Sequence, residues 1–310
     1  MRRRGIRLIA LLPLVWACAA RAQEMEPRAY SPSPIGINFV AATLGGARGE
    51  ILFDPSVPVT DVKADLGSAS FGYGRSVRFG RLQGLVLGGI PYVVGHLTGN
   101  VAQDARDIRR SGFGDLRVKV SVNLVGTRAM TRQEFAKTPP RTVFGVSLAI
   151  QAPVGEYDSS KLINIGTHRW AFKPEIGVSV PVKRWFLDAY AGASFFTNNE
   201  HFYPGSATRR QDPLYQLQGH AAYVFTSRAW LALDATWYWG GASTVDGGPP
   251  STRQSNTRAG LTFSAPITPR QSIKTAASTG TTARTGTKFD SIFLTWQFAW
   301  FDKPARAKTP

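Results

Sequence analysis

Ile292-Phe293-Leu294-Thr295-Trp296-Gln297-Phe298-Ala299-Trp300 is the stretch that decides the fold. Ile292, Leu294, Trp296, Phe298 and Trp300 make one unbroken apolar face, with Ser291, Thr295, Gln297 and Ala299 between them. A repeat of two belongs to extended strand, whose side chains point alternately to opposite faces. The pattern recurs upstream. Leu116, Val118, Val120, Val122 and Leu124 alternate with Arg117, Lys119, Ser121 and Asn123. Phe172, Ile176, Val178 and Val180 alternate with Lys173, Glu175, Gly177 and Ser179. Tyr215, Leu217, Ala221, Tyr223 and Phe225 interleave with Gln216, Gln218 and His220, and Leu231, Leu233, Ala235, Trp237 and Trp239 with Ala232, Asp234, Thr236 and Tyr238.

Strands that alternate so persistently fit a soluble sandwich or a membrane barrel. Two features favour the barrel. The apolar faces end in Trp170, Trp185, Trp230, Trp237, Trp239, Trp296 and Trp300, as expected of aromatic girdles at a membrane interface. The opposite faces carry charged and small residues such as Arg117, Asp188 and Gly192, which a sandwich would have to bury. Past the first twenty or so residues there is no apolar run of about 18 residues, so no transmembrane helix is expected. A closed barrel is then the one remaining way to satisfy the backbone in lipid.

The chain opens like an export signal. Arg2, Arg3, Arg4 and Arg7 precede an apolar stretch from Leu8 to Ala20, and Ala20-Arg21-Ala22 places small residues where signal peptidase reads. Cleavage before Gln23 is expected, giving a leader over 1–22. The stretch is shorter than the ~20 residues of a membrane anchor. Cys18 follows Val15-Trp16-Ala17, a poor lipoprotein signal, and is the chain's only cysteine, so the mature chain forms no disulfide and holds no Cys-ligated metal. Five of the 37 Lys and Arg leave with the leader, and the net charge falls from +17 to +12. On an exported barrel such an excess faces outer-membrane lipid, lipopolysaccharide phosphates or anionic solutes, not nucleic acid.

Short and long connections alternate. Arg78-Phe79-Gly80, Pro181-Val182-Lys183, Thr226-Ser227-Arg228 and Pro266-Ile267-Thr268 are tight breaks. Longer polar stretches cover Gly45 to Ala64, Thr98 to Ser111, Pro153 to Thr167, Thr197 to Asp212, Gly241 to Ser255 and Gly280 to Lys288. Gly126 to Pro140 is the exception, long and basic on the short-turn side. The resulting plan is a periplasmic N-terminal segment over 23–33, an all-β up-and-down barrel of about twelve antiparallel strands over 34–301, and a polar periplasmic tail over 302–310. Both termini face the periplasm of a Gram-negative envelope.

Gly112-Phe113-Gly114-Asp115 leads into a strand and is followed by Pro153-Val154-Gly155-Glu156-Tyr157, Asn164-Ile165-Gly166, Trp170 and Pro174-Glu175-Ile176-Gly177. This order and spacing resemble the family of outer-membrane β-barrel proteins assigned to the MetA pathway of phenol degradation, also called transporters. The likeness spans nearly the whole mature chain. It implies a barrel and a small, aromatic or hydrophobic solute. The last strand also resembles an outer-membrane assembly signal, which implies that Ile292, Leu294, Trp296, Phe298 and Trp300 meet the barrel-assembly machinery. Here the chain departs from the usual pattern by continuing past Phe301.

The expected lumen face carries Arg117, Lys119, Lys173, Glu175, Asp188, His220, Asp234, Arg258 and Lys274. They read either as a charged lining that selects solutes or as pairs that fill the barrel, since a barrel of about twelve strands is wider than the ~8 that side chains alone fill. Asp115 after Gly112 and Gly114 is expected to accept backbone N–H bonds, Gly155 and Gly166 to supply loop conformations, Trp170 to anchor at the interface, and Pro174 to mark a bulge or strand end near a rim. None of the four histidines makes the His-x-Ser arrangement of barrel deacylases, and there is no Gly-x-Ser-x-Gly elbow, phosphate loop or metal-ligand spacing. Neither an outer-membrane hydrolase nor a cofactor is therefore expected. Two function classes remain: a passive channel for small solutes, and a non-conducting barrel that meets lipopolysaccharide or a partner.

Overall fold

A computed structural model describes residues 25–52, 59–101, 104–226 and 228–302. The leader with Cys18 and the tail beyond Asp302 lie outside the described residues. The strands are β1 (Ile37–Leu52), β2 (Val59–Phe79), β3 (Leu82–Val101), β4 (Asp104–Phe113), β5 (Leu116–Val125), β6 (Val143–Ala152), β7 (Ala171–Val182), β8 (Trp185–Phe196), β9 (Asn199–Phe202), β10 (Ala207–Gln211), β11 (Leu214–Val224), β12 (Trp230–Gly240), β13 (Ser243–Val245), β14 (Gln254–Pro266), β15 (Gln271–Thr282) and β16 (Gly286–Phe301). β4 and β5 both pair with β3, through Tyr92–Val101 and Gln83–Gly89 respectively, so they are two halves of one stave broken at Gly114-Asp115. With β9, β10 and β13 set apart as a small sheet of their own, twelve antiparallel staves close into a barrel. The seam is β1 on β16, sixteen residues in unbroken register from Ile37↔Phe301 to Leu52↔Gly286. Asp302 fastens it at the rim of the short turns, binding Arg75 (2.7 Å) and the Asn38 amide (2.9 Å).

Alternation sets the faces as the pattern requires. Leu294 and Trp296 lie exposed on the outside, while Thr295 and Gln297 are buried inside. Aromatic pairs ring both ends of the apolar band: Tyr73–Trp300 and Trp185–Tyr223 near the short turns, Tyr215–Trp239, Trp170–Phe172 and Tyr92–Phe113 near the long loops. Trp230 departs from the girdle expected of it. Its neighbour Leu231 faces out, so Trp230 faces in, and it is buried.

Three connections read as loops are mostly barrel strand, and a fourth, Thr197 to Asp212, holds β9 and β10 of the small sheet. β1 runs on to Leu52 and β2 starts at Val59; β3 and β4 extend through Thr98 to Ser111; β15 reaches Thr282 and β16 starts at Gly286. These extensions carry polar residues on the outer face, such as Arg48, Asp65, His96 and Asp290, because they rise beyond the apolar band. The long basic turn contains a helix, α1 (Arg132–Lys137), opened by a capping box in which Thr131 and Glu134 satisfy each other's backbone N–H groups.

The N-terminal segment, expected in the periplasm, turns the other way. From Ile37 back to Met25 it enters the barrel as a strap. Ile35 and Gly36 donate to the carbonyls of Met130 and Ser76 near the rim, and Glu26, Ala29, Tyr30, Ser31 and Ser33 are buried. Tyr30 fits because inward residues Gly145 and Gly177, paired across β6 and β7, have no side chain: a Cβ on either would stand 2.3 or 2.2 Å from its ring. A twelve-stave lumen leaves space that wall side chains cannot fill, and the strap fills the half nearer the short turns.

Candidate functional site

The lumen has two storeys. In the lower one, the wall charges gather around the strap. Lys119 Nζ donates to Glu26 Oε2 at 2.6 Å and lies 3.7 Å from Glu175, whose other oxygen is 3.8 Å from Lys173. The Glu175 carboxylate also accepts from Gln216 (2.9 Å) and from the Tyr30 hydroxyl (3.2 Å). Asp188 accepts the Arg28 backbone N–H at 2.7 Å, and the Tyr190 hydroxyl accepts that of Ala29 at 3.0 Å. The Arg28 guanidinium lies 4.2 Å from the ring centre of Phe186 and 5.9 Å from that of Trp230, which explains why Trp230 turns inward. His220 Nδ1 and Asp234 form a buried pair at 2.7 Å, completed by the Thr262 hydroxyl. Buried charges persist when each is met by partners, and these are.

Of the nine expected lining residues, Lys119, Lys173, Glu175 and Asp188 thus meet around the strap, and His220 pairs with Asp234. Arg258 stands apart, held by Ser278 and Ser291. Lys274 is buried on the inward face of β15, and Arg117, half-buried, pairs in register with Gln151. The strap residues Glu26, Arg28 and Tyr30 escape sequence reading, since their partners on the wall lie at separations of 93 to 192 residues and no repeat marks them.

Above this storey the segment 153–170 folds back over the mouth, pinned by Asp115. One Asp115 oxygen accepts the Gly155 N–H (3.0 Å); the other accepts the Thr167 N–H (3.0 Å), the Thr167 hydroxyl (2.6 Å) and Gln151 (2.7 Å). The carboxylate accepts backbone donors, as expected, though from the distant segment and not from its own turn. Gly155 and Gly166 make the close approach possible, because a Cβ on either would stand 2.6–2.7 Å from the backbone beneath it. Asn164 closes a smaller loop through Asp158 N–H (2.8 Å) and the carbonyls of Asp158 and Lys161. Tyr157 stacks on His168 and donates to the His201 carbonyl. Gly112, Gly114, Pro153, Tyr157, Asn164 and Trp170 therefore border one knot. Trp170 faces out and is exposed, and Pro174 lies outward near the start of β7, where the pairing with β8 skips Lys173 and Pro174.

The tip of this segment reaches across the mouth. Ile163 packs on a buried inward cluster of Ala47, Val62, Ala64, Leu97 and Phe289, and its carbonyl accepts from Arg110 Nε at 3.1 Å. The upper lumen therefore has an apolar side built by β1 to β4 and β16. Arg258, Asn256 and Gln216 line the side built by β11 to β15. Among the described residues no group of three or more His, Cys, Asp or Glu could hold a metal, and no helix is long and apolar enough to cross a membrane.

A family model described as "Putative MetA-pathway of phenol degradation" matches residues 49–296. A comparison with curated proteins finds no match. Among solved structures, the COG4313 outer membrane channel from Pseudomonas putida superposes with a TM-score of 0.77 at 19% identity, covering 89% of this chain and 100% of that one. The β domain of the Bordetella autotransporter BrkA gives 0.51 at 10% identity, over 85% of this chain and 99% of that one. At these identities the likeness is one of fold.

Proposed function

This chain belongs to the family described as "Putative MetA-pathway of phenol degradation", and on that premise we propose that it is an outer-membrane channel for small hydrophobic or aromatic solutes, not an enzyme. One observation carries the reading. Ala47, Val62, Ala64, Leu97 and Phe289 form an apolar cluster on the inward face near the mouth. A wholly polar, water-filled pore would not need apolar residues there, whereas a solute leaving water for a low-polarity path would gain from them. In this reading the chain reaches the outer membrane after loss of the leader 1–22, β16 is presented to the assembly machinery through its outer face, and cations of the mouth meet lipopolysaccharide phosphates. The P. putida protein of the same fold is itself a channel by name.

The strap supports a second reading, a barrel that conducts nothing, because Glu26, Lys119 and Glu175 fill the lower storey. Proteoliposome swelling separates the two. A channel admits phenol or benzyl alcohol faster than protein-free liposomes do, and discriminates against sugars of similar mass. Swelling no faster than that of empty liposomes for every solute would leave the second reading standing.

A further inference from the structure

Arg258 is buried at 3% exposure on the inward face of β14, yet it uses one nitrogen only. That nitrogen donates to the hydroxyls of Ser278 (2.6 Å) and Ser291 (3.1 Å). A guanidinium carries five N–H groups; the three on Nε and the remaining terminal nitrogen have no partner. Thr236, directly across the ladder from Arg258 and also buried, has a hydroxyl without a partner. Lys119, Lys173 and His220 each have a carboxylate within 4 Å, whereas no ion pair holds Arg258 among the described residues. Leaving a buried guanidinium so poorly satisfied is unfavourable, and an incoming anion would recover the loss.

What stands beside it narrows the anion. Ser291 lies between Phe289 and Phe293 on the inward face of β16, and both rings are buried. They lie against β1 over Gly45 and Gly49, where any Cβ would collide with them. Phe289 also belongs to the apolar cluster of the mouth. Below, Met25 at the tip of the strap reaches Gly260, two residues from Arg258. A cation, an unpaired hydroxyl and two phenylalanines thus converge just above the strap.

We propose that Arg258, Thr236, Phe289 and Phe293 form a binding site for a small aromatic carboxylate of the benzoate type, where a solute rests on its way through the lumen. The carboxylate accepts from the free N–H groups of Arg258 and from the Thr236 hydroxyl, and the ring packs on the two phenylalanines. This deepens the channel reading and rests on it for its purpose, but binding can be measured without passage.

The test is equilibrium dialysis of labelled benzoate against the full mature chain in detergent, with each variant first checked for an intact barrel by its gel shift on boiling. Saturable binding is expected, displaced poorly by benzyl alcohol, which lacks the charge, and poorly by acetate, which lacks the ring. Arg258→Met weakens it about tenfold or more, the ratio of a lost charge-assisted hydrogen bond. Thr236→Val, a milder change that keeps volume, weakens it several-fold and serves if Arg258→Met does not assemble. Equal binding by Arg258→Met or Thr236→Val overturns the site, as does equal displacement by benzyl alcohol or by acetate. Swelling without benzoate binding would remove this site and leave the channel; benzoate binding without swelling would do the reverse.

Discussion

Asp115 holds more of the mouth together than any other single side chain described. Its carboxylate accepts four donors from Gln151, Gly155 and Thr167 while almost fully buried. Asp115→Asn keeps the shape but turns an NH2 group towards N–H and O–H donors. A lost charge-assisted bond of this kind is worth about 2–3 kcal/mol. The expected result is local: segment 153–170 becomes open to limited proteolysis while the barrel keeps its gel shift. Unchanged resistance would show that the glycine contacts alone hold the knot. On the outer face the relevant energy is transfer into lipid. Trp296 is exposed at the centre of the β16 apolar face, so Trp296→Arg should lower stability by roughly 2–4 kcal/mol and impair assembly into liposomes. Arg117→Glu, on the inward face, should assemble normally; equal damage from both would mean that lipid exposure does not set the penalty.

Strands were readable where one face meets lipid, because there the bilayer enforces apolar residues at every second position. β11 and β12 are found almost in full this way, and β16 from Ser291 onward. The same rule fails where the wall rises beyond the apolar band: the ends of β1 to β4 remain paired, but there the outer face is polar and the apolar residues, such as Ala47, Val62 and Leu97, turn inward, so the stretches pass for loop. α1 was readable in principle, since Thr131-Arg132-Gln133-Glu134 spells a capping box, yet a six-residue helix with no buried face has no apolar period to announce it. The lining residues of the candidate site followed from alternation, whereas their partners on the strap could not, being set by tertiary contact. α1 offers a test of its own. The Thr131 backbone N–H, then its hydroxyl, hold the Glu134 carboxyl below its ordinary range. A depressed carboxylate contributes stability above its unfolded pKa and loses it as pH falls through the folded value. Amide-exchange protection of residues 132–137 should therefore hold at neutral pH and fade below the usual glutamate range. Thr131→Ala should lower that protection by about 1 kcal/mol at neutral pH and flatten its pH dependence. A pH profile identical in the two proteins would refute the cap's role.

The closed wall and the strap make opposite demands on the whole molecule. Twelve staves leave no free strand edge in the lipid, and the β1–β16 seam makes closure complete. A lumen of that width would stay wet, but residues 25–36 occupy its lower half with a buried ion pair and a tyrosine. The strap therefore contributes to stability and opposes passage at once. Breaking one side of a buried pair costs about 3–5 kcal/mol, because a desolvated charge is left behind, so Glu26→Ala should lower thermal stability markedly. Removing residues 25–33 altogether is different. The deletion takes Glu26 away but lets water reach Lys119, Lys173, Glu175 and Asp188, whose solvation offsets the lost contacts. The shortened chain should then assemble, keep its gel shift at a lower unfolding temperature, and conduct several-fold more current in planar bilayers than the full mature chain. Ion selectivity should change little on deletion, since Glu26 and Arg28 leave together and the net charge of the lumen is kept. If the deletion leaves conductance unchanged, solutes do not cross where the strap lies, and the path through this barrel must leave the lumen above Arg28.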